Sequence, residues 1–489
     1  MITLKTPARA VLIVITLSAV IFTLTLYGAL GNGNGVQRPV ITPELPFSPP
    51  PDPSAPFRVA IYPCGGFAPG LLANGGLKTT KGSIYDKDFG LNVEFIMMED
   101  PSRCARLLGV PGGPDIAWST LPVLTFHQAK NCGSNPVVIM QYDTSRGGDA
   151  IFSSHPYRSL DELKGKRLPC VEGGNAHFVI LFLLHTAGIE PSALNWEFTA
   201  TDSDAMLLLK KGRTDVCGIS TYGIPVPPSL KLLFSTVQAS RLVPGVFITR
   251  EDLLLRKREQ ARKFIAGWFR GVSEMQKNRD AAVKIMATAY GCDENKSIEL
   301  LKSSILAGYR DNVEFFSIGQ HNRTGFDFLV DVSLSRWKGI SGSLMASCAG
   351  LKHTDALVAA ASDVGKAVAG YDSGIPESMK NPSLESLSRE YLLDFPAYEY
   401  TPGFKSSMVL DRFVTTASIF QGSNIDLYGN AGTPGEQAYS YNWGMRFYIV
   451  GKALTDAGIP KEKVTIKEIR LDTALAGAQK HTVGCVIRR

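Results

Sequence analysis

The stretch "DTSRGGDAIF", Asp143 to Phe152, separates the apolar run "NPVVIMQY" from a second β-prone run. A tight hairpin would use the glycines, whose backbone enters left-handed conformations freely, but has no need of Arg146 between two strands. The stretch therefore reads as a crossing between two bodies, and the surrounding sequence decides what those bodies are.

Upstream, "FRVAIY" (57–62) ends in the breaker "PCGGFAPG", and "LNVEFIMM" and "PDIAWST" are further strand-like runs. Downstream, "KGKRLPCVEGGNAHFVILFLLHTAG" (164–188) reads as strand, glycine turn and apolar helix, and "GRTDVCGISTYG" repeats the scheme. Strands alternating with helices predict an α/β fold on a mostly parallel sheet. In such sheets ligands gather at the carboxyl ends of strands. Five loops there, "PCGGFA", "WSTLP", "SRGGDA", "EGGNAHF" and "ISTYG", offer small residues and free backbone N–H groups. Glycine allows close approach to a ligand, and helix N-termini favour anions.

With 489 residues, 44% apolar and 20% charged, the chain has the composition of a globular protein and the length of two or three domains. The net charge of +6 is scattered, without a basic aromatic stripe, so nucleic acid is not an expected partner. Residues 10–30 carry no charge and as a helix would span roughly 30 Å. Lys5 and Arg9 precede this run, which places residues 1–9 in the cytoplasm and the body across the membrane. A cleaved signal peptide ending near Ala29-Leu30-Gly31 is the other reading, although the run exceeds the usual apolar core of about 7 to 15 residues. Residues 38–56 hold eight prolines in nineteen positions, within a stalk expected over 31–56. Such a segment favours an extended spacer, roughly 60 Å at full reach.

The eight cysteines form no C-x-x-C pair and do not cluster with the histidines, so no metal site or cofactor is expected. Cys64 in a glycine loop and His177 at a helix start are the one pair that would suit nucleophilic catalysis, without a supporting motif. The expectation is of a protein that is not an enzyme.

The ordered set "YPCGGFAPGLLANGG", "DIAWSTLPVL", "DTSRGGDAIF", "SLDELKGKRLPCVEGGNAHF", "LLLKKGRTDVCGIST" and "YRDNVEFF" resembles the type II periplasmic solute-binding proteins of the nitrate/sulfonate/taurine or phosphate ABC-transporter type. The resemblance implies two α/β lobes over 57–348, the second about 147–244, closing on a ligand. The candidate ligand residues are Gly65, Gly66, Phe67, Trp118, Ser119, Thr120, Ser145, Arg146, Gly174, Asn175 and Asp311. A small anion is the expected ligand, with two roles open for Arg146: a bidentate contact to it, or a pair with Asp149 that shapes the hinge. Asp311 and Asn312 are expected to orient loops.

Residues 349–387, rich in Ala, Ser and Gly, read as a helical connector with linker. Residues 388–489 follow a βαβαβ order similar to OmpA-like peptidoglycan-binding domains. The resemblance assigns Arg446 to the wall peptide, but Gly432 or a neighbour stands where such domains carry an aspartate. Peptidoglycan or another envelope protein is the partner this implies, with Arg446 as a plain surface helix residue the third reading. Two functions stand open: a receptor held at the inner membrane with its bulk in the periplasm, or a structural envelope component that keeps the binding fold. Limited proteolysis of the full chain is expected to cut within residues 38–56, and protection there removes the stalk.

Overall fold

The computed structural model describes residues 55–129, 136–319, 325–341, 350–364, 368–380, 382–383, 390–395, 402–420, 423–431, 440–471 and 481–488. The expected membrane segment 10–30, residues 31–54 of the expected stalk and Gly432 lie outside them. Among the described residues no helix is long and apolar enough to cross a membrane.

The first lobe starts with β1 (Phe57–Ile61), β2 (Val93–Met97), β3 (Ala117–Thr120) and β4 (Pro136–Ser145). The chain then crosses into β5 (Asp149–Ser153), β6 (Arg167–Val171), β7 (Asn195–Thr199), β8 (Val216–Ser220) and β9 (Lys231–Ser235). It returns through β10 (Pro244–Arg250), β11 (Ser304–Leu306) and β12 (Tyr371–Asp372). In the first lobe β1 pairs β2 in parallel, and Val59 bridges Ile116 just before β3. Strand β10 lies antiparallel between β3 and β4, giving the order β2–β1–β3–β10–β4–β11–β12. The second lobe repeats this permutation. There β6 pairs β7 in parallel, β6 packs beside β8, and β5 lies antiparallel between β8 and β9. The expected sheets are therefore mixed rather than mostly parallel, because in each lobe the strand that has just crossed over inserts against the others.

The crossings run side by side and are tied by one threonine. Thr236 Oγ1 lies 2.8 Å from Ser145 Oγ and accepts the Gly147 N–H at 2.8 Å, while Thr236 N–H donates to the Asp149 carbonyl at 2.9 Å. Ser145 N–H reaches the Val243 carbonyl at 2.9 Å. The two glycines have separate reasons. Gly147 sits at φ +86°, in the left-handed region that side chains disfavour. A Cβ on Gly148 would lie 2.1 Å from the Tyr222 hydroxyl. Arg146 turns outward to pair with the Asp372 carboxylate.

Tryptophans join the layers. Trp268, on helix Arg258–Lys277, packs against Phe67, Tyr142 and Phe247 in the first lobe. Trp337, on helix Phe326–Ser341, is fully buried between Phe126 of the first lobe and His177 and Phe178 of the second.

The connector is not a free linker in its described parts. Leu351, Ala356, Leu357 and Ala360 are buried, helix Asp355–Val364 packs on helix Arg258–Lys277, and Met379 enters the second lobe's apolar cluster. Apolar residues at helical spacing within the alanine-rich stretch supply that face.

The C-terminal unit adds a strand to the predicted order, giving βαβαββ: β13 (Glu390–Asp394), helix Phe404–Ile419, β14 (Asn424–Ala431), helix Ser440–Asp456, β15 (Val464–Leu471) and β16 (His481–Arg488). Its sheet runs β13–β16–β14–β15, and it packs on the second lobe. Tyr391 Oη donates to the Thr186 carbonyl at 3.2 Å, and Phe420 meets Phe182 and Phe234. Arg446 is not a surface residue: it is 2% exposed and lies over the rings of Trp443 and Phe395.

Thr236→Val keeps the shape of this junction but strands the buried Gly147 N–H, which typically costs about 1–3 kcal/mol. We expect a loss of about 1–3 kcal/mol in urea unfolding, with Thr236→Ser losing much less.

Candidate functional site

A cleft of about 880 Å³ opens between the lobes, a volume suited to a small molecule. Its walls are the carboxyl ends of equivalent strands. The first lobe contributes Tyr62 and Pro63 after β1, residues 99–102 after β2, and Trp118 and Thr120 of β3. The second contributes residues 171–175 after β6, 200–203 after β7, and Ser220 with 222–224 after β8. Tyr290, Cys292, Lys296 and Leu300 close one side.

The lobes touch across this gap. Thr120 Oγ1 donates to Asn175 Oδ1 at 2.6 Å. Asn175 opens helix Asn175–Ala187 directly after the Gly173-Gly174 turn. Gly173 sits at φ +72°, and a Cβ there would lie 2.1 Å from the Phe126 ring, so only glycine lets the turn come this close. Tyr62 and Trp118 form the aromatic wall, centroids 4.1 Å apart, with Tyr222 edge-on to Tyr62 at 5.7 Å. Trp118 Nε1 donates to the Met98 carbonyl at 2.7 Å and is thereby held in place.

The floor is acidic. Ser220 stands between two carboxylates: its N–H donates to Asp202 Oδ1 at 3.0 Å and its hydroxyl to Asp149 Oδ1 at 2.6 Å. Burial pushes Asp202 up to about 7, offset by the Ser220 N–H and reinforced by the charge of Asp149. Burial also raises Asp149, tempered by Ser220, Ser145 and Asn175. Deeper in the hinge Asp143 is pushed up to about 7, chiefly by burial, and partly relieved by Ser304. Asp143 lies between two glycines, since a Cβ on Gly66 or Gly245 would come within 2.2 Å or 2.1 Å of its oxygens.

Of the residues expected from sequence, Trp118, Thr120, Gly174 and Asn175 line this cleft. Gly65, Gly66 and Phe67 are buried beneath it: Gly65 lies against Leu300 and Leu301, and Phe67 packs in the aromatic core. Ser119 is buried and bonds the Thr120 carbonyl, and Ser145 belongs to the hinge. Asp311 accepts the Gly308 N–H at 2.8 Å, and Asn312 clamps β4 through both polar atoms of Gln141's backbone. Arg146 pairs with Asp372 instead of Asp149 and is not among the cleft-lining residues, so the expected guanidinium is not delivered to the cleft.

Cys64 and His177 are not brought together as an acid–base pair. The Cys64 thiol contacts Asp143 and Ser304, and burial beside Asp143 pushes it up to about 12. His177 Nδ1 accepts the Gly173 N–H at 3.1 Å. The six described cysteines are free, five of them buried.

Sequence reasoning missed Tyr62, Asp202 and the loops at 99–102 and 200–203. Those loops hold no glycine, the feature that marks four of the five loops found from sequence. Their signal is a polar cap after a strand: Asp100 and Thr201 each accept a backbone N–H at a helix start.

Residues 80–282 match the family model described as "NMT1/THI5 like". No curated protein matches the chain. Among solved structures, the chain is similar to the periplasmic aliphatic sulphonate binding protein SsuA of Escherichia coli, at 14% identity, TM-score 0.44, covering 53% of this chain and 81% of that one. It is also similar to the periplasmic nitrate-binding protein NrtA of Synechocystis PCC 6803, at 12% identity, TM-score 0.48, covering 67% and 91%. A Candida albicans protein described as having the generic periplasmic binding protein fold covers 63% of this chain and 95% of its own, at 17% identity and TM-score 0.41.

The buried Asp143 has a consequence for stability. The folded state keeps its proton up to about pH 7, whereas the unfolded chain releases it in the usual carboxylate range. Its favourable contribution is therefore full below about pH 4 and lost as pH rises to about 7. Asp143→Asn should flatten the melting temperature between pH 4 and 8 and stabilise the protein at pH 8 by about 1–4 kcal/mol. An unchanged pH profile would remove Asp143 as the source.

Proposed function

We propose that the chain is a solute-binding protein of the type II periplasmic kind, which captures a small ligand between its lobes and serves an ABC transporter. The observation that carries this is the convergence of equivalent strand ends from both lobes on one cleft, bridged by Thr120 and Asn175. The match to the "NMT1/THI5 like" model across 80–282 spans parts of both lobes and supports it. In this reading residues 10–30 anchor the chain in the inner membrane and 31–56 hold the body on the periplasmic side. The unit at 388–489 docks it to peptidoglycan or another envelope protein. The cleft binds rather than catalyses.

A second reading is a structural envelope component that keeps the fold without transport. Its support is the fastening of the lobes by Trp337, packed between Phe126 of the first and His177 of the second, which opposes opening.

Thermal shift of the full chain against phosphate, nitrate, sulfonates, carboxylates and small amines distinguishes the two. A ligand at one hundred times its Kd adds about 2.7 kcal/mol, a shift of several degrees. Binding of at least one class is expected, weakened by Trp118→Ala. Absence of a shift for every class gives the structural reading the field.

A further inference from the structure

The lining of the cleft has a sign. Glu99, Asp100, Glu172 and Asp202 bring four carboxyl groups to its surface, and Lys296 is the ammonium facing them among the described lining residues. Behind Ser220 lies Asp149, fully buried, whose Oδ1 takes the serine hydroxyl and whose carboxylate has only neutral donors, Ser220, Ser145 and Asn175, around it. Among the described residues neither Asp149 nor Asp202 is ion-paired, and Arg146 is occupied by Asp372. Two carboxylates sharing one serine without a counter-ion are costly to keep charged away from water. A cation entering the cleft relieves that cost.

The shape of the wall narrows the choice. Tyr62 and Trp118 line the same cleft as Asp202, with Tyr222 edge-on to Tyr62. Aromatic faces attract cations, most strongly where water is excluded. A planar cation with two N–H donors on one edge also matches the two-oxygen geometry of a carboxylate.

We infer that the cleft selects a small solute carrying a flat cationic group of amidinium type, received by Asp202 with Asp149 behind it and lying against Tyr62 and Trp118. The inference rests on the solute-binding reading and names its ligand class. The surrounding ionisable groups support a simple pH response. Cys170, Cys217 and Tyr222, which face the pair, are held protonated by burial, which leaves the carboxyls to titrate on that side. Glu172 adds a further carboxyl, and Lys296 and His127 face the floor from the first lobe.

Calorimetry of the full chain with benzamidine, benzamide and benzenesulfonate, similar in size and shape but of different charge, tests this. At pH 8 benzamidinium is expected to bind at least ten-fold more tightly than benzenesulfonate, with benzamide between them. Its affinity should fall several-fold on going to pH 5.5, where Asp202 takes up a proton, while that of benzenesulfonate should not. Asp202→Asn should weaken benzamidinium at least ten-fold and leave benzamide unchanged, which reports an intact cleft. Glu172→Gln, at an exposed position, should weaken it several-fold. Tighter binding of benzenesulfonate at pH 8, or an unchanged benzamidinium affinity in Asp202→Asn, overturns the inference and leaves a solute-binding protein of the opposite preference. No binding of any of the three, together with no thermal shift for any solute class, overturns both.

Discussion

A single buried hydroxyl holds the two halves of the body in register. Thr236 comes from the returning crossing, and its oxygen meets both Ser145 and the Gly147 N–H of the outgoing one. A backbone N–H at a crossing has no strand partner and must find one elsewhere when it is buried. Thr236 supplies it, and so the crossings lie together rather than as separate linkers. The repeated strand order then follows, because each crossing feeds a strand antiparallel into the sheet it enters.

The same geometry creates the cleft. Each lobe turns the carboxyl ends of three strands toward the other, β1 to β3 in the first and β6 to β8 in the second, and the Gly173 turn lets them approach until Thr120 and Asn175 meet. Closeness carries an electrostatic cost. Asp143, Asp149 and Asp202 are all raised by burial, and no ion pair with a described side chain offsets them. Groups shifted in this way cluster at functional sites. Trp337 lies buried between the lobes, against Phe126 of the first and His177 and Phe178 of the second.

The C-terminal unit extends the second lobe rather than trailing from it. Tyr391 and Phe420 dock it on helix Asn175–Ala187, the helix whose first residue reaches across the cleft. Burial of Arg446 between Trp443 and Phe395 gives this arginine a role in the unit's own packing. Stacking on rings suits guanidinium, which is more weakly hydrated than an ammonium and loses less on burial.

The alternation of strands and helices, the glycine turns and the crossing at residues 143–152 were legible in the sequence, because periodicity and left-handed glycines are local properties. So were Trp118 and Thr120, at the carboxyl end of β3, and Gly174 and Asn175, in the turn after β6. Strand insertion was not legible, since pairing partners are chosen by tertiary contact. Arg146 shows the limit most plainly: its neighbours in sequence suggested a ligand or Asp149, and its partner is Asp372, more than two hundred residues away. The charge of the cleft was decided in the same way. Asp149 and Asp202 are unremarkable in the chain, and only folding removes them from water, sets them on either side of Ser220 and leaves them without a counter-ion.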